Sequence, residues 1–286
     1  MKIVRYINSG SENLGVLTDK GVIDVDGYQL ERGKKTFVSA NISLNDACLI
    51  KDIIGMISND KRYVLDKDTC EFGPCVSNPQ KIICIGLNYR RHAIESGMAI
   101  PTIPIVFNKF NNTLCNYGED IPLGDVGKEF DYEVELGVVI GKRCKNIKAA
   151  DALEYVLGYC VANDLSCRDL QFRSSQWLMG KSLDKFLPLG KYIVTKDEIP
   201  NPQNLQLKCF VNGEQRQNSN TADMVFSIAE IIEDLSKHFT LEPGDLILTG
   251  TPGGVVFGMK KKKWLKPGDV VRVEIEGLGF AENTMA

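Results

Sequence analysis

Apolar positions in this chain fall in short runs separated by turn-forming residues, and the period of those runs changes along its length. Lys2–Ile7, Asn13–Leu17 and Gly21–Val25 are broken by Gly and Ser, which predicts strands joined by hairpin turns; Asp24 and Asp26 read as an acidic turn. Leu44, Ala47, Ile50, Ile53, Ile54 and Ile57 then recur at helical spacing, with Ser43 or Asn45 as the N-cap. Two prolines and a glycine in Glu71–Gln80 predict a boundary, dividing a small N-terminal α+β domain, 1–75, from a larger one, 76–286. From Lys81 onward the runs lengthen and turn β-rich: KIICIGLNY, IPIVFNKF, FDYEVELGVVIG, VLGYCVANDLS, LQLKCFVNG, GDLILTGTPGGVV and DVVRVEIEGLG. Helices are predicted only around Ala149–Glu154 and over Ser227–His238, the latter with Ile228, Ile231, Ile232 and Leu235 on one face. The pattern is that of an α+β protein dominated by mixed β-sheets, without the βαβα alternation of a doubly wound fold.

Composition narrows the function. The 34 Lys and Arg against 37 Asp and Glu give a net charge of −3, which offers no basic field to a phosphate backbone, so no nucleic-acid partner is expected. No apolar stretch approaches the roughly 18 residues of a membrane span, and the opening MKIVRYINSGSENLG lacks a signal-peptide core. Nine cysteines without a CxxC pair point to reduced thiols, hence a cytoplasmic protein. Two histidines rule out a histidine-built metal site, so any metal must be held by carboxylates or thiolates.

Several segments could carry chemistry. In FDYEVELGVVIG, Glu133 and Glu135 are two apart on a strand and share a face. Adjacent carboxylates suit a hard divalent cation, Mg²⁺ or Mn²⁺, although a solvated strand face would read the same way. Asp164, closing the run VLGYCVAN, is either a third ligand or a helix N-cap. His92 and Glu95 would share a face on one helical turn, as a proton-transferring dyad or as a surface pair. Lys181 could stabilise an enolate oxygen or simply be exposed. Thr251, in the Gly/Pro-rich TGTPGG turn, could hold a carboxylate or sit in a plain connection, and the segment lacks the P-loop pattern. His238 reads as a helix end and Lys260–Lys263 as a solvated loop.

Taken in order, GLNYRRHAIE, DYEVELGVVIG, YCVANDLSCRDLQ, GKSLDKFLPLG, ILTGTPGGV and LKPGDVVRVEIEGLG resemble the fumarylacetoacetate hydrolase family over about Lys81–Asn283. The resemblance implies mixed sheets rolled into a sandwich or barrel-like C-terminal fold, with the N-terminal module as a variable domain. It implies Glu133, Glu135 and Asp164 as ligands of Mg²⁺ or Mn²⁺, His92 and Glu95 as the catalytic dyad, and Lys181 as a catalytic lysine contacting substrate. Lys109, Arg168, Gln171 and Thr251 follow as substrate-contacting positions. The implied reaction is C–C bond hydrolysis of a small 2-oxo or 2,4-dioxo acid such as an acylpyruvate, through an enolate. Oxaloacetate decarboxylation, or isomerase or lyase chemistry on a related acid, are alternatives, and a non-catalytic metabolite-binding protein is the alternative of another class. A homodimer is implied as well. The chain departs from the family pattern at Gly190–Lys191 and in VFGMKKKKW, both near the expected pocket rim.

Overall fold

The structure, a computed structural model, describes residues 1–38 and 41–286. Its strands in chain order are β1 (Lys2–Asn8), β2 (Ser11–Thr18), β3 (Gly21–Asp24), β4 (Val64–Leu65), β5 (Glu71–Phe72), β6 (Ile82–Gly86), β7 (Ile105–Lys109), β8 (Phe130–Asp131) and β9 (Val134–Ile140). They continue with β10 (Val156–Asn163), β11 (Ser166–Cys167), β12 (Ile193–Thr195), β13 (Gln206–Val211), β14 (Glu214–Asn220), β15 (Leu246–Leu248), β16 (Val270–Ile275) and β17 (Gly279–Thr284). The α-helices are α1 (Val25–Leu30), α2 (Leu44–Ile57), α3 (Arg90–Glu95), α4 (Arg168–Gln171), α5 (Leu178–Lys181) and α6 (Ile228–His238).

Among the described residues, eleven strands form one mixed sheet in the order β4-β3-β2-β1-β12-β10-β9-β15-β6-β7, with β5 attached to β1. The pairing of β15 with β6 is parallel and the others are antiparallel. The sheet ends on β4 and β7, so its roll is open and not a closed barrel. The N-terminal strands join the C-terminal ones through β1 and β12, with Ile3 opposite Ile193.

Strand β9 lies at the centre, and its alternation decides the site. Val134, Leu136, Val138 and Ile140 pack into a core that also takes Leu207, Val273 and Ile275 of a four-stranded sheet (β14-β13-β16-β17) and Ile231 and Leu235 of α6. On the opposite face Val139 belongs to a second core with Ile50 and Ile53 of α2. Covered on both faces, β9 has no solvated side, so the reading of Glu133 and Glu135 as exposed acids is overturned: they are 4% and 2% exposed.

Both long helices start where their sequence says. Ser43 caps α2 and Ser227 caps α6, each in a reciprocal capping box with the residue three positions on, Asp46 and Glu230. Three readings change. Asp24 caps the short helix α1 through the Gly27 amide instead of marking a turn, Ala149–Tyr155 is a 3₁₀ helix, and Leu178–Lys181, too irregular in sequence to predict, forms a helical turn.

Candidate active site

The antiparallel register of β9 and β10 assembles the acidic group. Val134 pairs with Asn163, so the residues just beyond that pair, Glu133 and Asp164, meet, and the Asp164 amide donates to the Glu133 carbonyl at 2.9 Å. Glu135 is two residues along the same face of the strand. One ligand oxygen from each of Glu133, Glu135 and Asp164 lies within 4.8 Å of the others, and all three side chains are buried. Asp164 is therefore not a helix N-cap; Cys167 occupies that position before α4.

Three cations enter the cluster. Lys181 Nζ donates to Glu133 Oε2 at 2.6 Å and Asp164 Oδ2 at 2.7 Å, and Lys109 Nζ donates to Asp164 Oδ1 at 2.7 Å and the Leu165 carbonyl at 3.0 Å. Arg168 donates to Glu133 Oε1 at 2.6 Å, Gln171 Oε1 at 2.8 Å and Asp131 Oδ2 at 2.9 Å. The expectation that Lys181 is an ordinary exposed lysine fails, since it is 2% exposed. Its place depends on a close approach of two helical turns. A Cβ on Gly180 would lie 2.3 Å from the Gln171 nitrogen and 2.4 Å from the Cys167 carbonyl, so only glycine lets α5 seat against α4.

Charge in the cluster is unbalanced. Asp131, Glu133, Glu135 and Asp164 face Lys109, Arg168 and Lys181, four carboxylates against three cations. Burial works against Glu133, but Lys181 and Arg168 outweigh it and hold that carboxyl below its usual range. Burial, with Asp164 and Glu133 nearby, pushes Glu135 well above its usual range, which favours the form carrying a proton in a cluster one cation short. Burial also lowers Lys109, against the pull of Asp164. Oxygen ligands converging on one point and a site short of positive charge fit a hard divalent cation, which would displace that proton.

One cavity opens onto this cluster. Glu133, Glu135, Arg168, Gln171, Lys181 and Thr251 line it, with His92 and Ser96 of the α3 segment. As swept by the centre of a water molecule it measures about 40 Å³, and one water needs roughly 10–15 Å³ by that measure, so it has room for a short ligand. Asp164 and Lys109 are buried but not among its lining residues.

His92 and Glu95 do share one helical turn. His92 Nδ1 is 3.5 Å from Glu95 Oε1, beyond a normal hydrogen bond, and is buried without a hydrogen-bond partner. Glu95 Oε1 accepts instead from the Gly254 amide at 2.8 Å, tying α3 to the loop after β15. Thr251 Oγ1 donates to the Val134 carbonyl at 3.0 Å and accepts from Gln217 at 2.9 Å, so its hydroxyl braces β9. The Gly250 amide, next to it, donates to Glu135 Oε2 at 2.7 Å. His238 is exposed at the end of α6, and Lys260–Lys263 are solvated, as expected.

The sequence reading missed Asp131, Ser96 and an aromatic wall. Asp131 looked like one more residue of a strand, yet it is fully buried against Arg168. Trp177 meets Phe107 edge to face at 5.2 Å, and Phe172 tilts onto Phe257 at 5.0 Å; all four line the cavity. A Cβ on Gly86 would come within 2.6 Å of the Trp177 ring, so the indole rests on bare backbone. A lone Trp after a polar stretch gives no periodic signal.

The sequence and the fold have counterparts among known proteins. Residues 81–286 match the family described as fumarylacetoacetate (FAA) hydrolase C-terminal. A fumarylacetoacetate hydrolase domain-containing protein 2 homolog of Dictyostelium discoideum is 43% identical, over 100% of this chain and 97% of its own. A mitochondrial oxaloacetate tautomerase, fahd2, of Xenopus laevis is 40% identical, over 99% of this chain and 89% of its own. A solved fumarylacetoacetate hydrolase of Exiguobacterium antarcticum superposes with a TM-score of 0.78 at 32% identity, covering 100% of this chain and 99% of that one.

Proposed function

The chain belongs to the fumarylacetoacetate hydrolase family, and from that premise we propose that it is a divalent-cation-dependent enzyme that moves a proton next to the carbonyl of small 2-oxo acids. The observation that supports this reading is the sharing of one narrow cavity by Glu133 and Glu135 of the charge-deficient cluster and by His92, whose Nδ1 is buried and unpaired. Glu133, Glu135 and Asp164 would hold Mg²⁺ or Mn²⁺, which when bound polarises a 2-oxo carboxylate and its neighbouring carbonyl.

The chain's own residues divide the rest. With four carboxylates and three cations, exchange of the Glu135 proton for a divalent ion leaves the cluster net positive by one, a match for one substrate carboxylate. His92 takes a proton from C3, the C–H electron pair becomes the C2–C3 double bond, the C2=O π pair moves onto the oxygen, and the protonated imidazole gives the proton to that oxygen. Glu95, held by the Gly254 amide with its Oε1 3.5 Å from His92 Nδ1, would orient the imidazole on closing that gap. Lys181 and Arg168 hold Glu133 ionised and in place. On oxaloacetate this sequence is keto–enol tautomerisation. The narrow cavity and the 40% identity to a protein named an oxaloacetate tautomerase support that substrate.

C–C hydrolysis of an acylpyruvate is the second reading, favoured by the His92–Glu95 pair. There His92 would take the proton of a water attacking the C4 carbonyl, the C3–C4 bond would break with its electron pair going to pyruvate C3, and the protonated imidazole would return the proton there. A homodimer in the cytoplasm completes the proposal, checked by light scattering and cell fractionation. The test follows enol absorbance of oxaloacetate and pyruvate release from oxaloacetate and acylpyruvates, with and without Mg²⁺ or Mn²⁺. Metal-dependent tautomerisation lost in Glu133→Ala and His92→Ala is expected. Pyruvate release from acylpyruvates without tautomerisation would establish the hydrolase, and release from oxaloacetate alone a decarboxylase. Metal-dependent oxalate binding with no turnover would make the chain a metabolite-binding protein.

A further inference from the structure

The α3 segment presents more than a histidine to the cavity. His92 lies in α3 and Ser96 closes it as the C-cap residue, four positions on, which places both side chains along one helix face. Both residues line the cavity, and both His92 Nδ1 and Ser96 Oγ are buried without a hydrogen-bond partner. A serine at a helix end can return its hydroxyl to a carbonyl one turn back. Here only the backbone amide does so, donating to the His92 carbonyl at 3.1 Å, and the hydroxyl is left over. His92 Nδ1 has the Glu95 carboxylate 3.5 Å away, whereas the Ser96 hydroxyl, on a cavity wall without a partner, marks the place of a ligand oxygen, because native interiors rarely leave such groups unmatched.

The other polar groups of the cavity are differently placed. Arg168 is committed to Asp131, Glu133 and Gln171, Lys181 to Glu133 and Asp164, and Thr251 to Val134 and Gln217. The aromatic wall of Phe107, Trp177, Phe172 and Phe257 offers an oxygen little. An acid anchored by its 2-oxo carboxylate at the carboxylate cluster therefore finds an uncommitted hydroxyl donor on the α3 segment.

We propose that Ser96 is a specificity-determining residue that, beside His92, binds a second substrate oxygen on C4, so that the site selects 2-oxo acids carrying a 4-carboxylate or 4-carbonyl over those ending in alkyl. The inference rests on the reading of the cavity as a 2-oxo acid site and adds the residue that recognises the oxygen on C4. A distal carboxylate or ketone accepts a hydrogen bond from Ser96 Oγ; an ethyl or propyl tail of equal length leaves that hydroxyl buried and unpaired, and such mismatches discriminate strongly.

The experiment measures KM for oxaloacetate and for 2,4-dioxopentanoate, and the inhibition constants of 2-oxobutyrate and 2-oxopentanoate, with Mg²⁺ saturating. Wild type, Ser96→Ala and Ser96→Thr are compared. Ser96→Ala is expected to raise KM for one or both oxygen-bearing acids at least tenfold while moving the alkyl inhibition constants less than twofold, with Ser96→Thr recovering most of the loss. Loss confined to oxaloacetate identifies a carboxylate as the bound group, and loss confined to 2,4-dioxopentanoate a ketone. Equal weakening of all four acids, or no change, overturns the role of Ser96, as does a wild type that binds alkyl and oxygen-bearing acids alike. A wild type that neither turns over nor binds any of the four overturns the 2-oxo acid reading itself, and the Ser96 role with it. Circular dichroism of both variants confirms that each is folded.

Discussion

Asp131 holds Arg168 through two guanidinium nitrogens, Nε at 2.9 Å and Nη2 at 2.8 Å, while its carboxylate also accepts from the amides of Val256 at 2.8 Å and Phe257 at 3.0 Å. One fully buried carboxylate thus joins the loop beyond β15 to the arginine that fixes Glu133. Asp131→Ala leaves Arg168 Nε and the amides of Tyr132, Val256 and Phe257 without their acceptor. A loss of about 3–5 kcal/mol is expected, as for other broken buried pairs, measured by urea unfolding.

Glu135 behaves differently because burial and its acidic neighbours already favour its protonated form. Glu135→Gln copies that form in shape and charge. Without divalent ions its unfolding midpoint should stay close to that of the parent chain, whereas Mg²⁺ and Mn²⁺ affinity, read by calorimetry, should fall at least tenfold. A midpoint that drops sharply in metal-free buffer would show that Glu135 is ionised there.

Gly180→Ala forces a methyl into the Gln171 nitrogen and the Cys167 carbonyl, both backbone. Overpacking of this kind costs about 1–3 kcal/mol. Because the shift carries Lys181 with it, turnover should fall by more than the fraction unfolded explains. Activity against urea midpoint, compared with the parent, checks this.

Trp177→Ala removes the indole that rests on Gly86 and faces Phe107. The cavity should then admit acids with bulkier distal groups. Competition by N-phenyloxamate relative to oxalate is expected to improve at least tenfold.

Cys48 is exposed, whereas burial raises the thiols of Cys84, Cys115, Cys167 and Cys209 above their usual range. A thiolate is the reactive form. Limiting iodoacetamide at neutral pH should label Cys48 first, with the buried four protected until denaturation, as mass spectrometry would show.

What the sequence made legible was local. Alternation along FDYEVELGVVIG placed Glu133 and Glu135 on one face, and helical spacing placed Glu95 beside His92. Burial of the acids was not legible, because it depends on α2 and the four-stranded sheet covering β9 from opposite sides. Strand β14 escaped notice since EQRQNSN has no apolar alternation, only Gln217 being buried within it, and its strand character comes from pairing with β13. Asp131 and Ser96 gained their meaning from partners, or the lack of them, that lie far away in sequence or in a cavity.

The union of β1 with β12 bears on how the chain is made. Lys2 and Ile3 pair with Val194 and Ile193, a separation of about 190 residues, and such long-range closure slows folding. During synthesis at ~5–20 residues per second, the Lys2–Ile3 part of the inner edge of β1, beyond the reach of β5, stays uncovered until β12 has emerged. That bare edge is an invitation to pair with another nascent chain. Coexpression with a holdase chaperone should therefore improve the yield of soluble chain, and a chain lacking residues 1–75 should gather through the β12 edge it leaves open.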